Sequence, residues 1–275
     1  MITTNNPHNP KEMNKTMEFE TLELTVNGRV AVLSLNRPPM NPLNKKLFSE
    51  LYEILEELEN NDDIGAIIIT GKGERAFAAG ADISEMKELD AAGIARMNRI
   101  SRKAFEKLEN IGKPVIAAIN GLALGGGCEL ALCCDFRICS ENAKIALPEI
   151  NLAIIPGGGG TQRLQRLIGQ ARAKELLYFG DMIKAQEAQA YGLVSKVVPL
   201  ESLMDTALEW AAKLAEKPAV ALKMMKTALH TGADTDLNNA LTIETVCFGI
   251  TFETEDRKEG MASFFEKRKP VYVGR

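Results

Sequence analysis

The sequence predicts an α/β fold in which ββα units repeat up to residue 198 and only helices follow. Short apolar runs bounded by Gly, Asn and Pro alternate with longer segments of helical periodicity, which is typical of such repeats. After residue 198 the apolar residues recur only at the three- and four-residue spacing of helices. We therefore expect a core at residues 17–198, a helical region at residues 199–275 and a disordered tail at residues 1–16.

Composition argues against several classes of protein. The chain has 275 residues, of which 45% are apolar and 25% charged, as in a globular protein with a large core. Its 33 basic and 37 acidic residues give a net charge of −4, so nucleic acid is not an expected partner. No apolar run approaches the ~20 residues that span a bilayer. Residues 1–15 lack the apolar segment of a secretory signal, so we expect no membrane association.

The cysteines and histidines narrow the chemistry. Four of the five cysteines lie at residues 128–139, in a spacing that fits no zinc site. Their odd number and helical setting favour buried packing thiols, which indicates a reducing compartment and predicts a cytoplasmic protein. Only two histidines exist, His8 and His230, so a Ser-His-Asp or Cys-His mechanism is poorly supported. No metal site is expected.

The first elements are a β-hairpin and an amphipathic helix. Residues 19–26 alternate apolar and polar side chains, Asn27-Gly28 follows, and residues 29–36 form a second run. An Asn-Gly pair between two such runs is the strongest short-range signal for a hairpin. Asn44 is placed to cap the next helix, whose apolar residues fall at helical spacing. These residues are Leu47, Leu51, Ile54, Leu55 and Leu58.

The rest of the chain continues the alternation of strands and helices. Buried strands are predicted at residues 64–70 and 115–119, and a long polar helical region interrupted by Gly93 at residues 84–110. Short strands follow at residues 136–139, 144–147 and 193–198, and helices at residues 161–168, 172–179 and 185–191. The C-terminal helices, the last of them capped by Thr254, are expected to pack on the core or on another subunit.

Residues 115–135 combine the features of an active site. The buried strand leads to three glycines, Gly125 to Gly127, and then to an apolar helical run. That run contains a single carboxylate, Glu129, and burial of an isolated charge is costly. Glycine lets a ligand approach the backbone amides where a helix begins. We therefore predict that this helix start and Glu129 belong to an active site.

A second acid, Glu149, lies in a similarly apolar context. Two buried carboxylates close together would perturb each other's pKa and suit general acid–base catalysis. The alternative is that Glu129 and Glu149 make unrelated salt bridges, and spacing alone does not decide between the two.

Three small-residue segments could bring backbone amides close to a ligand. Residues 125–127 lack the Lys-Ser/Thr of a P-loop, so an oxyanion hole fits better there than a phosphate site, with helix packing as the alternative. Residues 76–83, charged only at Asp82, suit a close ligand or tight core packing equally well. The four glycines at residues 157–160 could form another such turn, but we favour a simple flexible loop. The basic cluster at residues 267–269 is expected to be solvated.

Six segments in this order resemble the enoyl-CoA hydratase (crotonase) family, over about residues 17–275. They are Asn36-Arg-Pro38, Ala76-Phe-Ala-Ala-Gly-Ala-Asp-Ile83, Asn120-Gly-Leu-Ala-Leu-Gly-Gly-Gly-Cys-Glu129, Pro148-Glu149 with Ile155-Pro-Gly-Gly-Gly-Gly-Thr-Gln-Arg-Leu164, Glu255-Asp-Arg-Lys-Glu-Gly260 and Phe265-Glu-Lys-Arg-Lys-Pro270. The resemblance implies a spiral of ββα turns, followed by helices that build a homotrimer or a dimer of trimers. It also implies acyl-CoA thioesters as substrates.

The resemblance further implies roles for individual residues. Glu129 would help to activate a water for attack at C3 of a 2-enoyl-CoA, and Glu149 would deliver a proton to C2. The thioester oxygen would be held by an oxyanion hole, and no metal or redox cofactor would be needed. The oxyanion hole would consist of the amides of Ala81 and Gly126, the CoA path would be lined by Ala79, Gly80, Ala81, Asp82 and Ile83, and Lys267 would lie near the CoA phosphates.

The resemblance leaves the substrate open. Glutamate at both acid positions resembles the hydratases, whereas isomerases often keep only the second. Ser84 stands where many hydratases of this type have Lys. Residues 152–160 resemble the methylglutaconyl-CoA hydratase branch as much as the short-chain branch. A branched acidic substrate is therefore the leading alternative to a short-chain enoyl-CoA. An isomerase, or a non-catalytic member that binds acyl-CoA or RNA, is a further alternative.

Overall fold

The computed structural model describes residues 19–275, so the tail predicted at residues 1–16 lies outside the described residues. Within that part of the chain, the strands are β1 (Leu22–Asn27), β2 (Val30–Leu35), β3 (Ala66–Gly71), β4 (Ala76–Ala79), β5 (Val115–Ile119), β6 (Leu122–Leu124), β7 (Phe136–Ser140), β8 (Lys144–Ala146), β9 (Ile183–Lys184) and β10 (Lys196–Val198). The α-helices are α1 (Lys45–Asn60), α2 (Ala91–Asn110), α3 (Gly126–Leu132), α4 (Gly160–Ile168), α5 (Gln170–Phe179), α6 (Ala185–Ala190), α7 (Leu203–Ala215), α8 (Ala219–Ala233), α9 (Leu237–Phe252) and α10 (Glu255–Glu266). Short 3₁₀ helices span Ile83–Glu85, Pro148–Leu152 and Leu200–Ser202.

Successive turns of the chain build two sheets side by side. One has six strands in the order β1-β2-β3-β5-β7-β10, and the other has four in the order β4-β6-β8-β9. Each of the pairs β3–β4, β5–β6 and β7–β8 gives one strand to each sheet before a helix follows. The neighbouring strands run parallel except at two antiparallel pairs, the hairpin β1–β2 and the pair β8–β9. The predicted spiral of ββα turns is therefore confirmed.

The first two sequence signals are confirmed in detail. Asn27 pairs with Val30 across the β1–β2 hairpin, and Gly28 takes the left-handed conformation that the turn requires, with φ of 59°. The Asn44 side chain accepts the Leu47 amide at 2.9 Å and caps α1. The predicted apolar positions of α1 are all buried.

Two predicted boundaries are wrong. Gly93 does not interrupt a helix but lies in the first turn of α2, where its amide donates to the Asp90 side chain at 2.7 Å. The interruption lies upstream, between the 3₁₀ helix Ile83–Glu85 and this cap. The strand expected at residues 193–198 is shortened to β10, because the amides of Leu193 and Val194 bond the Ala188 carbonyl at the end of α6.

The six-stranded sheet is a middle layer that is buried on both faces. Alternate residues of one strand point to opposite faces. Thus Ala31 and Leu33 of β2 join the main core with α1, whereas Val30 and Val32 pack in a second cluster against α7. Helix α7 therefore closes the far side of the sheet.

The last three helices have little buried surface within the chain. Helix α8 has no fully buried residue, and α9 has only Cys247. Phe248 is 63% exposed, and Phe264 and Phe265 of α10 are 77% and 81% exposed. The apolar residues of α8 and α9 are thus only partly covered by this chain.

The remaining general predictions concern thiols and membrane contact. All five cysteines are free and buried, which confirms that they are packing thiols. No helix among residues 19–275 is both long enough and apolar enough to cross a bilayer.

Candidate active site

Helix α3 is placed by a tight contact with the second sheet. Strand β6 ends at Leu124, and Gly125 turns the chain with φ of 50° into α3. A Cβ built on Gly127 would lie 1.9 Å from the Ala78 carbonyl oxygen, so only glycine allows α3 to approach β4 this closely. The Asn120 side chain ties the preceding loop to Gly71, whose carbonyl accepts its amide at 2.9 Å.

Two backbone amides from separate segments meet at the start of α3. A Cβ on Gly126 would lie 3.4 Å from the Ala81 nitrogen. Ala81 is positioned by a parallel bridge to Leu43, which donates its amide to Gly80 at 2.9 Å and accepts that of Asp82 at 2.8 Å. The Ala81 amide donates to no acceptor in the described part of the chain. The Gly126 amide is among the first of a helix, which lack intrahelical partners. The structure thus brings together the two amides whose role as an oxyanion hole stays a prediction.

Glu129 lies one turn into α3 and is only 4% exposed. Its Oε1 accepts the amides of Gly158 and Gly160 at 2.7 and 2.8 Å. Burial raises the pKa of Glu129, and the two amides and the nearby Arg163 charge oppose that rise. Its Oε2 accepts no hydrogen bond from the described residues, so this oxygen is available to a ligand or water.

The preferred interpretation of residues 157–160 as a simple loop is therefore wrong. The turn supplies both donors that hold Glu129, from positions 29 and 31 residues further along the chain. A Cβ on Gly158 would lie 2.6 Å from Glu129 Oε2 and 2.6 Å from Phe105 Cε2, so the carboxylate and the ring leave no room for a side chain. One signal could have found the turn: a buried acid requires donors, and a glycine run before a helix offers free amides.

Glu149 lies in the 3₁₀ helix Pro148–Leu152, against the start of α3. A Cβ on Gly125 would lie 3.0 Å from Glu149 Oε1. The other oxygen, Oε2, is buried and has no hydrogen-bond partner among the described residues. Burial, followed by the charge of Glu129, raises the pKa of Glu149 to about 7. A carboxyl group that titrates near neutral pH suits general acid–base catalysis.

The segment predicted to line the CoA path leaves the site along the protein surface. Asp82 pairs with Arg37 at 3.0 Å and accepts the Ser84 hydroxyl at 2.6 Å, and these bonds lower the pKa of Asp82. Ile83, at the start of the next 3₁₀ helix, is 56% exposed. Lys267 ends α10 in the left-handed conformation, with φ of 55°. Its proximity to CoA stays a prediction.

A buried arginine that the sequence did not indicate holds the other end of α3. Arg137 of β7 is 7% exposed and donates to the carbonyls of Ala131, Cys134 and Leu193 at 3.2, 2.6 and 2.7 Å. A cation at a helix C-terminus complements the helix dipole. No group of three or more His, Cys, Asp or Glu residues among residues 19–275 is arranged to hold a metal ion.

Comparison with known proteins identifies the family of this chain. A family model described as enoyl-CoA hydratase/isomerase matches residues 25–275. The chain is 47% identical over 254 residues to a short-chain-enoyl-CoA hydratase of Clostridium acetobutylicum, covering 92% of this chain and 97% of that protein. It is 45% identical over 260 residues to a crotonyl-CoA hydratase of Syntrophomonas wolfei, covering 94% of this chain and all of that protein.

Solved structures agree as well. The crystal structure of an enoyl-CoA hydratase from Bacillus anthracis superimposes with a TM-score of 0.89 at 44% identity, covering 93% of this chain and all of that one. A second enoyl-CoA hydratase structure, from Geobacillus kaustophilus, has the same TM-score at 42% identity, covering 94% of this chain and all of that one. Since sequence and fold agree over nearly the whole described chain, this protein belongs to the enoyl-CoA hydratase/isomerase family.

Proposed function

We propose that this protein catalyses the reversible addition of water across the C2=C3 double bond of a 2-enoyl-CoA thioester, which gives a 3-hydroxyacyl-CoA. The observation that carries the proposal is the meeting of two carboxylates and two free amides at the start of α3. The names of the relatives, short-chain-enoyl-CoA and crotonyl-CoA hydratase, support a substrate with a short acyl chain.

The amides of Ala81 and Gly126 bind the thioester oxygen in this mechanism. As water attacks C3, negative charge moves from the double bond to that oxygen and forms an enolate. Two preorganised N–H donors stabilise this charge more than they stabilise the neutral carbonyl, and loss of one such donor costs about 3 kcal/mol of activation free energy. The CoA moiety is proposed to lie along the stretch from Ala79 to Ile83. Its phosphates are proposed to lie near Lys267.

The two acids act on one water. Glu129 is ionised, and its Oε2 accepts a proton of the water whose oxygen attacks C3. Glu149 is protonated and gives its proton to C2. The pair begins with one proton, passes one to the substrate and receives one from the water, so its protonation is restored. The reaction as proposed uses no metal and no cofactor besides the CoA of the substrate.

Turnover of enoyl-CoA substrates by two charge-neutralising variants tests the proposal. Glu129→Gln and Glu149→Gln should each lower kcat for crotonyl-CoA by orders of magnitude, because an amide cannot exchange the required proton. The exposed, unpaired Glu53 offers the matched control Glu53→Gln, which should keep the wild-type rate. Loss of the enoyl-thioester absorbance reports hydration directly.

Each alternative has its own outcome in the same assay. Faster turnover of methylglutaconyl-CoA would favour the branched substrate, and double-bond migration that outpaces hydration would favour an isomerase. Binding of acyl-CoA or RNA without turnover of any 2-enoyl-CoA would contradict the proposal. Near-wild-type rates in both glutamine variants would reject the assignment of the acids.

We also propose that α8, α9 and α10 join three copies of the chain into a trimer, alone or as a dimer of trimers. The exposed Phe248, Phe264 and Phe265 support this, because such aromatic side chains mark protein interfaces. Light scattering that gives the mass of a monomer would contradict it. The buried free thiols support the expected cytoplasmic location.

A further inference from the structure

The turn that holds Glu129 is itself held from its other side by a charged residue. Arg163 lies in the first turns of α4 and donates from Nη1 to the Gly158 carbonyl at 2.9 Å. Gly158 is therefore fixed twice, because its amide donates to Glu129 and its carbonyl accepts from Arg163. At Gly159, with φ of 108°, an added Cβ would lie 1.9 Å from Arg163 Nη1, so the guanidinium lies close against the turn.

Arg163 is in turn oriented by Glu109 at the end of α2. Its Nε donates to Glu109 Oε1 at 2.9 Å and its Nη2 to Oε2 at 2.5 Å, which is a bidentate arrangement. The two side chains are 19% and 29% exposed, so solvent screens this pair less than an open surface pair. A chain of contacts thus runs from Glu109 through Arg163 and Gly158 to Glu129.

The charged and titratable groups around Glu129 come from four elements. Arg163 of α4 is the cation that opposes the burial-induced rise in the pKa of Glu129, and the negative charge of Glu109 on α2 lies beyond it. Glu149 of the 3₁₀ helix is coupled to Glu129. On α3 itself, burial raises the pKa of both Cys128 and Cys133, so these thiols are neutral.

We infer that Arg163, oriented by Glu109, is a positioning residue that fixes the turn at residues 157–160 and so presents Oε2 of Glu129, in its charged form, to the reacting water. The inference rests on the proposed hydration. Arg163 touches no reacting atom. It acts through the Gly158 carbonyl on the geometry of the turn and through its charge on the ionisation of Glu129.

Arg163→Met tests both parts of this role in the full-length enzyme. Loss of the contact to the turn should lower kcat about 100-fold, as misplacement of a catalytic group by about 1 Å does, with little change in KM. Loss of the positive charge should also move the acidic limb of the pH profile of kcat/KM to higher pH. Arg163→Lys keeps the charge without the bidentate fork, so it should restore the acidic limb but only part of kcat.

Glu109→Gln separates charge from packing. This change releases Arg163 but removes a negative charge, so kcat should fall while the acidic limb moves to lower pH, opposite to Arg163→Met. Arg166→Met, on the same helix but 56% exposed, is the matched control and should change neither quantity. Circular dichroism and gel filtration establish that each variant is folded. If Arg163→Met does not fold, the variants Arg163→Lys and Glu109→Gln are used to test the inference instead.

Two results would overturn the inference. One is a folded Arg163→Met enzyme with wild-type kcat and an unmoved acidic limb. The other is an equal loss of kcat in Arg163→Met, Arg163→Lys and Glu109→Gln with no movement of the limb, which would show a purely structural role. Failure of the proposed function is distinguishable, because the wild-type protein itself would then turn over no 2-enoyl-CoA.

Discussion

The surroundings of Glu129 and Glu149 differ although both acids are largely buried at the same helix start. Glu129 has one oxygen held by two amides, with an arginine charge nearby, and these groups oppose the rise in its pKa that burial causes. Glu149 has a buried oxygen with no hydrogen-bond partner in the described chain, and its pKa is raised to about 7. Donors favour the ionised form and their absence favours the protonated form. This difference in hydrogen-bond donors matches the proposed roles, in which Glu129 accepts a proton and Glu149 supplies one.

The largest effect is expected where the support of Glu129 is broken. In Gly158→Ala the new Cβ would lie 2.6 Å from Glu129 Oε2 and from the Phe105 ring, so the turn or the carboxylate must shift. We expect kcat for crotonyl-CoA to fall about 100-fold or more, because a displacement of about 1 Å has that effect.

Gly157→Ala is the matched control for this change. Its Cβ would lie 3.2 Å from the amide nitrogen of the Asn98 side chain, which can move aside. It should keep at least most of the wild-type rate. Equal rates for the two alanine variants would mean that the turn does not hold Glu129 in the active enzyme.

A smaller effect, on stability, is expected where the unfavourable charge of Glu149 is removed. The folded protein binds the Glu149 proton up to about pH 7, whereas the carboxyl group has an ordinary pKa of 4.5. Its contribution to stability is therefore fully present below pH 4.5 and is lost as pH rises through about 7. Glu149→Gln removes this loss, so at pH 8 it should raise the free energy of unfolding by about 1–3 kcal/mol.

Denaturant unfolding at pH 8 and pH 4.5, at one protein concentration, measures this gain. A gain at pH 8 that shrinks towards pH 4.5 is expected for Glu149→Gln, and no pH-dependent gain for the exposed control Glu53→Gln. A loss of stability at pH 8 would show that Glu149 is better compensated in the folded protein than its lone oxygen indicates.

The sequence could predict those features that depend on residues close to one another in the chain. The Asn27-Gly28 hairpin, the Asn44 cap and the apolar run around Glu129 each depend on neighbouring residues. The spiral and the proximity of Ala81 and Gly126 were predicted only from the family resemblance. A local sequence pattern does not predict which distant segments contact each other in the fold.

The features that sequence missed depend on distant partners. The amides that hold Glu129 lie 29 and 31 residues away. The carbonyl of Leu193 that Arg137 bonds lies 56 residues away. Glycine amides and backbone carbonyls leave no side-chain signature, so only the folded chain shows which buried charge they serve.

The contact between Gly127 and the Ala78 carbonyl has a consequence for how tolerance to mutation is interpreted. Gly127 has no part in the proposed chemistry, yet any side chain there must push α3 away from β4. Gly126 on α3 and Ala81 beyond β4 would then separate, and both amides would lose their common target. A survey of all substitutions would rank Gly127 with the two acids as intolerant. In this site, intolerance to substitution is expected both at the groups that react and at the glycine whose lack of a side chain allows α3 to pack against β4.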